Sequence, residues 1–442
     1  MPPSIFPLGL GYIASTLIEN NHSVKILDLN GKRLKNEAVV EELAADQYDL
    51  VGISGIITQY KKIKEITQLI KNQYPDIPVV LGGAGPTSTP TLFLNHTSCD
   101  YVCIGEGEKV ILDIINYLQG NINLNDFKGI AYKSEDQIVY TEKQDTIKDL
   151  DTLSFPAWQL FDSMEIYVKN FLFRFDKPTG MNIMTSRGCP GRCVYCLNHF
   201  GHRIRNRSSD SIMQEIMLLI KLYKIQHVHF IDDTFVASKK VARELCNRII
   251  KEDLGITWST NARVDQVNED ILKLMASSGC ISVAYGVESG SPKILKEMRK
   301  GFRLEQAKRA IQLTRKVGID CKAYFIIGMP GETEDTIKET VDFCKESLVG
   351  GEFFFATPFP QTELWDYAIS NHMIKNEEAY IELVGEVRDF IINLTQFKDE
   401  KLFSLKEKAE NEIQEHLKSN EVKFKVGTRQ DPRETAKHLP EF

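Results

Sequence analysis

Short apolar runs alternate with amphipathic stretches along residues 1–150, and this pattern is typical of an open parallel sheet with helices on both faces. Polar or glycine-containing turns follow each run and mark the carboxyl ends of the predicted strands. The predicted strands are residues 24–29, 50–54, 79–82 and 101–104, with a helix at 8–21 and a hairpin at 130–145. The pattern therefore predicts an α/β, Rossmann-like (flavodoxin-like) domain that binds its ligand beyond the strand ends.

The helix at residues 8–21 begins almost at the start of the chain. A doubly wound domain normally enters such a helix from a strand, and no strand is predicted before it. The first strand of the domain is therefore expected to be missing, either because the chain is truncated or because the sheet is smaller.

A second alternation begins at residue 181 and contains six consecutive strand–helix units, which predicts a partial (β/α)6 TIM-type barrel with its functional groups at the strand carboxyl ends. The predicted strands are 181–186, 227–232, 256–261, 282–286, 322–327 and 351–357; the predicted helices are 209–223, 239–252, 268–277, 304–317 and 333–345. We expect four regions: residues 1–150, a linker at 151–175, the barrel at 176–370, and a C-terminal helical segment at 371–442 with a polar tail from about residue 428.

The composition is that of a globular protein, with 42% hydrophobic and 26% charged residues among 442. The formal charge is −7, and no long block of lysine or arginine is present, so nucleic acid is not an expected partner. No apolar run has the roughly 18 residues of a membrane helix, and the N-terminus lacks the features of a signal peptide. These features predict a cytoplasmic protein.

Three of the nine cysteines crowd into one loop, at Cys189, Cys193 and Cys196. This C-x-x-x-C-x-x-C spacing suits three corners of a [4Fe-4S] cluster and leaves one iron open for another ligand. The alternative is a zinc site with His199 or His202 as its fourth ligand. The barrel predicted behind the loop favours the cluster, because a small structural zinc module needs no such scaffold.

The cysteine spacing, with Tyr195 before the last cysteine, resembles the signature of the radical S-adenosylmethionine (SAM) superfamily. Further segments resemble its later strand motifs in the same order, at residues 229–235, 259–263, 285–290, 325–332 and 357–362. The resemblance implies that SAM binds the open iron and is cleaved to a 5′-deoxyadenosyl radical by an electron from a flavodoxin or ferredoxin-type donor. It also implies sensitivity to oxygen.

The superfamily resemblance implies a set of SAM contacts at the strand ends: Tyr195, Asp232, Asp233, Arg263, Glu288, Gly328 and Pro330. Arg263 would bind the SAM carboxylate, although an ion pair with Asp265 or Glu288 is an equal alternative. The two aspartates could instead cap the next helix, and a tight turn would also explain the glycines after residue 327.

The N-terminal region resembles the cobalamin-binding domain of one large subfamily, the class B radical SAM methyltransferases. No D-x-H-x-x-G segment is present, so no histidine of that motif would bind the cobalt. Glycine is common in strand-to-helix turns, and the same residues could form a flavodoxin-like site without cobalamin. The implied cobalamin contacts are Pro7, Leu8, Gly9, Ser54, Gly55, Thr58, Gly82, Gly83, Ala84, Gly85, Thr87, Gly105, Glu106, Gly107 and Glu108.

A local basic cluster follows the cysteine loop, at His202, Arg203, Arg205 and Arg207. It could attract an anionic substrate or the reductant, but a solvated surface leading into the helix at 209–223 is the favoured interpretation. The six cysteines outside the loop are expected to be small core residues.

The two resemblances together imply methylation of an unactivated carbon of a small-molecule substrate by cobalamin and the radical. Ring closure, rearrangement or carbon–carbon coupling without net methylation is the alternative, and a non-catalytic sensor is a third. A methylthiotransferase is disfavoured, because Cys99 and Cys103 alone do not supply the extra cluster ligands of that class. The sequence carries no code for the substrate.

Overall fold

The computed structural model describes residues 5–126, 128–173, 175–385 and 389–420. The N-terminal domain contains a five-stranded sheet in the order β1-β2-β3-β4-β5, in which β1 to β3 are parallel and β4 and β5 are antiparallel. Its strands are β1 (Val51–Ser54), β2 (Val79–Gly82), β3 (Tyr101–Cys103), β4 (Ile130–Ser134) and β5 (Gln137–Tyr140). Its helices are α1 (Leu8–Glu19), α2 (Ala38–Ala45), α3 (Tyr60–Gln73), α4 (Ala84–Ser88), α5 (Pro90–His96) and α6 (Gly107–Leu118).

The strand predicted at residues 24–29 is wrong. Within the described residues this segment pairs with no strand, and the sheet ends at β1. Asp28 is instead buried and accepts hydrogen bonds from the hydroxyls of Ser163 and Tyr167. The β-branched pattern marked a candidate strand, but a strand also needs a hydrogen-bonding neighbour, which the local pattern does not reveal.

The partial barrel is confirmed as a six-stranded, all-parallel sheet in the order β6-β9-β10-β11-β12-β13. These strands are β6 (Gly180–Ile183), β9 (His227–Phe230), β10 (Thr257–Ala262), β11 (Cys280–Glu288), β12 (Asp320–Ile327) and β13 (Gly351–Phe355). Between them lie α8 (Ser209–Tyr223), α9 (Lys239–Glu252), α10 (Glu269–Ser277), α11 (Pro292–Glu297), α12 (Leu304–Lys316) and α13 (Glu334–Glu346). A short antiparallel ribbon of β7 (Ser186–Arg187) and β8 (Arg205–Asn206) follows β6.

The segment predicted as a linker is packed into the protein core. It carries α7 (Met164–Asn170) and buries Trp158, Phe161 and Tyr167 around the ring of Phe6. Helix α14 (Glu363–Ser370) ends just before the predicted C-terminal helical segment, which contains α15 (Glu377–Leu383) and α16 (Asp399–Ser419). The predicted polar tail lies outside the described residues. Within those residues, every helix is too short or too polar to cross a membrane.

The two sheets meet through the loops that follow their strands. Gln361, beyond β13, donates a hydrogen bond of 3.0 Å to the carbonyl of Thr87, beyond β2. Lys64 of α3 pairs with Glu378 of α15 at 2.5 Å. A continuous apolar core also joins residues of both regions, including Tyr60 and Trp365. The carboxyl ends of both sheets therefore face a shared boundary.

Candidate functional site

The three clustered cysteines lie on the loop between β7 and β8, which spans residues 188–204. Ribbon pairing of Arg187 with Arg205 closes the base of this loop. Gly188 begins it with φ +98°, and a Cβ at this position would overlap the carbonyl oxygen of Arg203. The amide of Cys189 then donates to the carbonyl of Gly201 at 3.1 Å. The loop is thus folded back on itself, and only glycine fits at its entrance.

Two of the three thiols reach the same small space, which lies over Gly191. A Cβ built on Gly191 would lie 3.4 Å from Cys189 Sγ, 3.7 Å from Cys193 Sγ and 3.2 Å from Nη1 of Arg263. Cys196, on the same loop, is exposed. Thiolates are the ligands of iron–sulfur clusters, so the thiols of Cys189 and Cys193 and the side-chain-free cradle beside them suit a [4Fe-4S] cluster, with Cys196 as the third candidate ligand.

Asp232 holds the turn that carries the chain from β6 into the ribbon. Its carboxylate accepts from the amide and hydroxyl of Thr185, at 2.9 and 2.8 Å, and from the amide and hydroxyl of Ser186. Burial raises the pKa of Asp232 to about 6, against the opposing effect of these hydrogen bonds. The predicted SAM contact at Asp232 is thus engaged with the protein itself, whereas Asp233 is exposed.

We expect Asp232→Ala to lower the free energy of unfolding by about 2–4 kcal/mol, because it leaves buried donors without an acceptor. Asp232→Asn is expected to cost less than about 1 kcal/mol. Its amide oxygen replaces Oδ1 as the acceptor, and its NH2 group donates to the Thr185 hydroxyl, which can act as an acceptor instead of a donor. Denaturant unfolding and the iron content after anaerobic reconstitution measure both variants. Equal losses in the two variants would mean that the negative charge itself is required.

Arg263 forms the ion pair that its sequence position suggested as the alternative to SAM binding, and it also lies beside the cysteine loop. Nε and Nη2 donate to the carboxylate of Asp265 at 3.0 Å, and Nη2 also donates to the carbonyl of Lys300 at 2.7 Å. The ion pair predicted as the alternative therefore forms. Nη1 nevertheless faces the cradle over Gly191, so the side chain is held against the cysteine loop.

Glu288 is aimed by an irregularity at the end of β11. The register with β12 shifts between Gly286 and Glu288, and Glu288 itself has φ +72°, an uncommon conformation for a side-chain-bearing residue. Its carboxylate folds back over Gly286 and pairs with Nζ of Lys300 at 3.2 Å. The bulge thus turns Glu288 toward the residues around the cysteine loop.

Lys300 is a site residue that the sequence did not reveal. Its side chain is only 7% exposed, and Nζ lies 5.8 Å from the ring centre of Tyr195, the aromatic residue of the cysteine motif. Because its partners come from another strand end and from the cysteine loop, no local signal distinguishes it from a surface lysine.

The glycine turn after β12 is fixed by a second unpredicted residue, Glu332. Gly328 has φ +94°, and its amide donates to Glu332 at 2.6 Å. Burial raises the pKa of Glu332 from about 4.5 to about 7. Gly328 and Pro330, predicted to contact SAM, are therefore held by a buried carboxyl group.

This raised pKa predicts a pH dependence of stability. Because the folded protein holds the Glu332 proton more tightly than the unfolded chain, the stability contributed by Glu332 falls as pH rises from 4.5 to about 7. Relative to the parent protein, we expect the free energy of unfolding of Glu332→Gln to increase by about 3 kcal/mol between pH 4 and pH 8. Denaturant unfolding across this range measures the difference, with the exposed Glu334→Gln as the control. A parallel pH profile for parent and Glu332→Gln would contradict the prediction.

The residues predicted to bind cobalamin differ in solvent exposure and include exposed, intermediate and buried positions. Gly9, Ser54 and Gly83 are exposed, and Gly105 opens onto empty space. The intermediate positions are Pro7, Thr58, Gly82, Ala84 and Gly107, and the buried ones are Leu8, Gly55, Gly85, Thr87, Glu106 and Glu108. Ser54, Gly83 and Gly105 lie at the carboxyl ends of β1, β2 and β3, where an α/β sheet binds its ligands, whereas Gly9 lies in the first turn of α1.

Close backbone approach explains two glycines of this set. A Cβ on Gly83, which has φ +93°, would lie 2.6 Å from the carbonyl oxygen of Gly55, and one on Gly85 would lie 2.7 Å from the carbonyl carbon of Ile56. The turns after β1 and β2 are therefore pressed together. Thr87 accepts a hydrogen bond of 3.1 Å from the amide of Gly105, which ties the turn after β3 to the same group.

The interpretation of the basic cluster as a solvated surface is wrong for Arg205 and Arg207. Both are buried, and Arg207 pairs with Glu215 inside the barrel domain. Arg205 instead pairs with Glu106, so this candidate cobalamin contact is already engaged by an arginine. Only His202 and Arg203 of the cluster are exposed.

Comparison with known proteins matches both halves of the chain to described families. Residues 183–344 match the Radical SAM superfamily, and residues 2–115 match the B12 binding domain. An uncharacterized methyltransferase of Pyrococcus horikoshii, PH0819, is 32% identical over 409 residues, covering 91% of this chain and 86% of that protein. An anaerobic magnesium-protoporphyrin IX monomethyl ester cyclase of Rubrivivax gelatinosus is 30% identical, covering 81% and 65% of the two chains.

A solved structure shares the fold. The radical SAM methyltransferase TsrM of Kitasatospora setae, determined with cobalamin and a [4Fe-4S] cluster bound, superimposes with a TM-score of 0.72 at 21% identity. The match covers 84% of this chain and 73% of TsrM. The combination of an N-terminal sheet domain, a parallel partial barrel and C-terminal helices is therefore a known architecture.

Proposed function

Because this chain belongs to the radical SAM superfamily and carries a B12-binding domain, we propose that it methylates an unactivated carbon of a small-molecule substrate. The [4Fe-4S] cluster, SAM and cobalamin are its cofactors. The observation that carries the proposal is that the strand ends of the two sheets share one boundary, with the cysteine loop on one side and the open glycine turns on the other.

The cofactors supply chemistry that no side chain of this protein can perform. When bound, the cluster would supply the electron for cleavage of SAM to a 5′-deoxyadenosyl radical, and cobalamin would supply the methyl group. The electron comes from a low-potential donor, which we take to be a flavodoxin or a ferredoxin.

The protein's own residues bind and orient these groups. Cys189, Cys193 and Cys196 hold three irons of the cluster. Arg263 offers Nη1 beside the cradle, where a guanidinium group suits the carboxylate of SAM. Glu288, kept in place by Lys300, offers an acceptor for hydroxyl or amino groups of SAM.

The turns on either side of the cysteine loop complete the proposed site. Tyr195, Gly328 and Pro330 offer backbone and flat surface for the adenine ring, and Asp233 lies exposed beyond β9. On the facing domain, Gly9, Ser54, Gly83 and Gly105 form the entrance that we assign to the corrin.

Ring closure without net methylation is the second candidate function, favoured by the 30% identity to the anaerobic cyclase. Anaerobically reconstituted protein given SAM with a deuterated methyl group separates the two. The methylation proposal predicts both 5′-deoxyadenosine and transfer of the deuterated methyl group to the bound corrin. Formation of 5′-deoxyadenosine with no label on the corrin or on any product would favour ring closure and contradict methylation.

A further inference from the structure

Four buried charged side chains cross the boundary between the two domains, directly below the cysteine loop. Glu106 and Glu108 follow β3 of the N-terminal sheet, whereas Arg187 and Arg205 are the facing residues of the β7–β8 ribbon. Arg187 donates to Glu106 at 3.1 Å and to Glu108 at 2.5 Å, and Arg205 donates to both oxygens of Glu106 at 2.7 and 2.8 Å. All four side chains are 3–6% exposed.

The surroundings leave these side chains little freedom. The Arg187 guanidinium lies between the rings of Tyr12 and Phe200, at 5.5 and 5.2 Å from their centres. Glu106 also accepts a 2.6 Å hydrogen bond from the amide of Ile147. Two positive and two negative charges balance, but removal of one partner would leave a buried charge unpaired, which is strongly destabilising.

The arginines connect this cluster to the cysteine loop at both of its ends. Cys189 follows Arg187 by two residues, and Arg205 comes directly after the loop. Arg205 Nη2 additionally donates to the carbonyl of Phe200 within the loop, at 3.2 Å. Glu106 is therefore connected, through the hydrogen bonds of Arg187 and Arg205, to the backbone that carries the thiols.

We infer that Glu106 is a positioning residue: through Arg187 and Arg205 it fixes the cysteine loop relative to the cobalamin-binding domain. This inference rests on the proposed function in one respect, since only a reaction that uses both cofactors requires a fixed separation between them. Glu106 and Glu108 thus serve the corrin site through the arginines rather than by contact with the corrin.

The first test uses hydrogen–deuterium exchange on the full chain without cofactors. We expect Glu106→Gln to accelerate amide exchange in residues 188–204 by at least about tenfold, because a neutral amide cannot balance two arginines. Glu215→Gln is the matched control: it breaks an equally buried pair, with Arg207, inside the barrel domain. If Glu106→Gln does not fold, Arg205→Lys keeps the charge and removes the Nη2 hydrogen bond to the carbonyl of Phe200, and a smaller acceleration is expected.

The second test measures the distance between the reduced cluster and cob(II)alamin in the loaded protein by pulsed electron paramagnetic resonance. The inference predicts a narrow distribution in the parent protein and in Glu215→Gln, and a broadened or shifted one in Glu106→Gln. Unchanged exchange and an unchanged distance in Glu106→Gln, or equal changes in Glu215→Gln, would overturn it. Failure of label transfer in the parent protein would instead contradict the proposed function alone.

Discussion

Replacement of Cys189, Cys193 or Cys196 with alanine, one at a time, is expected to abolish cleavage of SAM to 5′-deoxyadenosine. Under the proposed function each thiolate would hold a different iron, so the loss of one would leave the cluster incomplete or unstable. We expect the rate to fall by at least about a thousandfold, because enzymatic rate enhancements of a millionfold or more depend on the intact centre. Quantification of 5′-deoxyadenosine under strictly anaerobic reduction measures the loss.

The control for this series is Cys99→Ala, because Cys99 precedes β3 in the N-terminal domain and is not part of the cysteine loop at residues 188–204. It should retain the parent rate and the parent iron content. If a loop variant cleaved SAM at the parent rate, or if Cys99→Ala lost cleavage to the same extent, the assignment of the cluster ligands would be wrong.

Gly188→Ala is expected to have the second largest effect, with loss of most of the bound iron. The substitution combines a left-handed backbone, at φ +98°, with an overlap between the new Cβ and the carbonyl oxygen of Arg203. The left-handed conformation alone costs about 1–2 kcal/mol for a side-chain-bearing residue, and the overlap forces the loop entrance to move. Iron per chain after reconstitution measures the effect.

Gly201→Ala is the matched comparison on the same loop. Gly201 also has a positive φ, +79°, but a Cβ there meets no atom within 4 Å. We therefore expect Gly201→Ala to lose stability only through the cost of the left-handed conformation and to keep most of its iron. Similar iron contents in Gly188→Ala and Gly201→Ala would mean that the overlap at the loop entrance does not control cluster binding.

Local signals explain why many element boundaries could be predicted from the sequence. Helices α8 and α9 begin after Ser208 and Ser238, whose side chains accept hydrogen bonds from the amides of Ser211 and Val241. Both helices end at the predicted residue, where Lys224 and Asp253 adopt the left-handed conformation. Capping and periodicity are properties of neighbouring residues, so a single sequence carries them.

Features that depend on distant partners could not be predicted in the same way. The segment at residues 24–29 has the composition of a strand, but the sequence does not say whether another strand lies beside it. Likewise, Glu106 is placed next to glycines that suggest a ligand site, while its partner Arg205 lies 99 residues away. Lys300 and Glu332 were missed for the same reason, because burial alone distinguishes them from surface residues.

The cysteine motif was the part of the site most easily identified from the sequence, because the close spacing of three cysteines itself indicates metal binding. Three closely spaced thiols on one loop predict a metal-binding ligand set, and the barrel behind the loop is what favoured a [4Fe-4S] cluster over zinc. The arrangement of Arg263, Glu288 and Lys300 around it required the barrel, because Arg263 and Glu288 come from different strand ends and Lys300 comes from the segment between α11 and α12.

The central claim is that the three thiols leave one iron open and that SAM binds to it. Electron–nuclear double resonance of the reduced, reconstituted protein with SAM carrying a ¹⁷O-labelled carboxylate and a ¹⁵N-labelled amino group tests this directly. If SAM binds the open iron, both labels will show hyperfine coupling to the cluster, and the g values of the cluster will shift when SAM is added. A [4Fe-4S] signal that is unchanged by SAM and shows no coupling, or zinc in place of iron at the three cysteines, would contradict it.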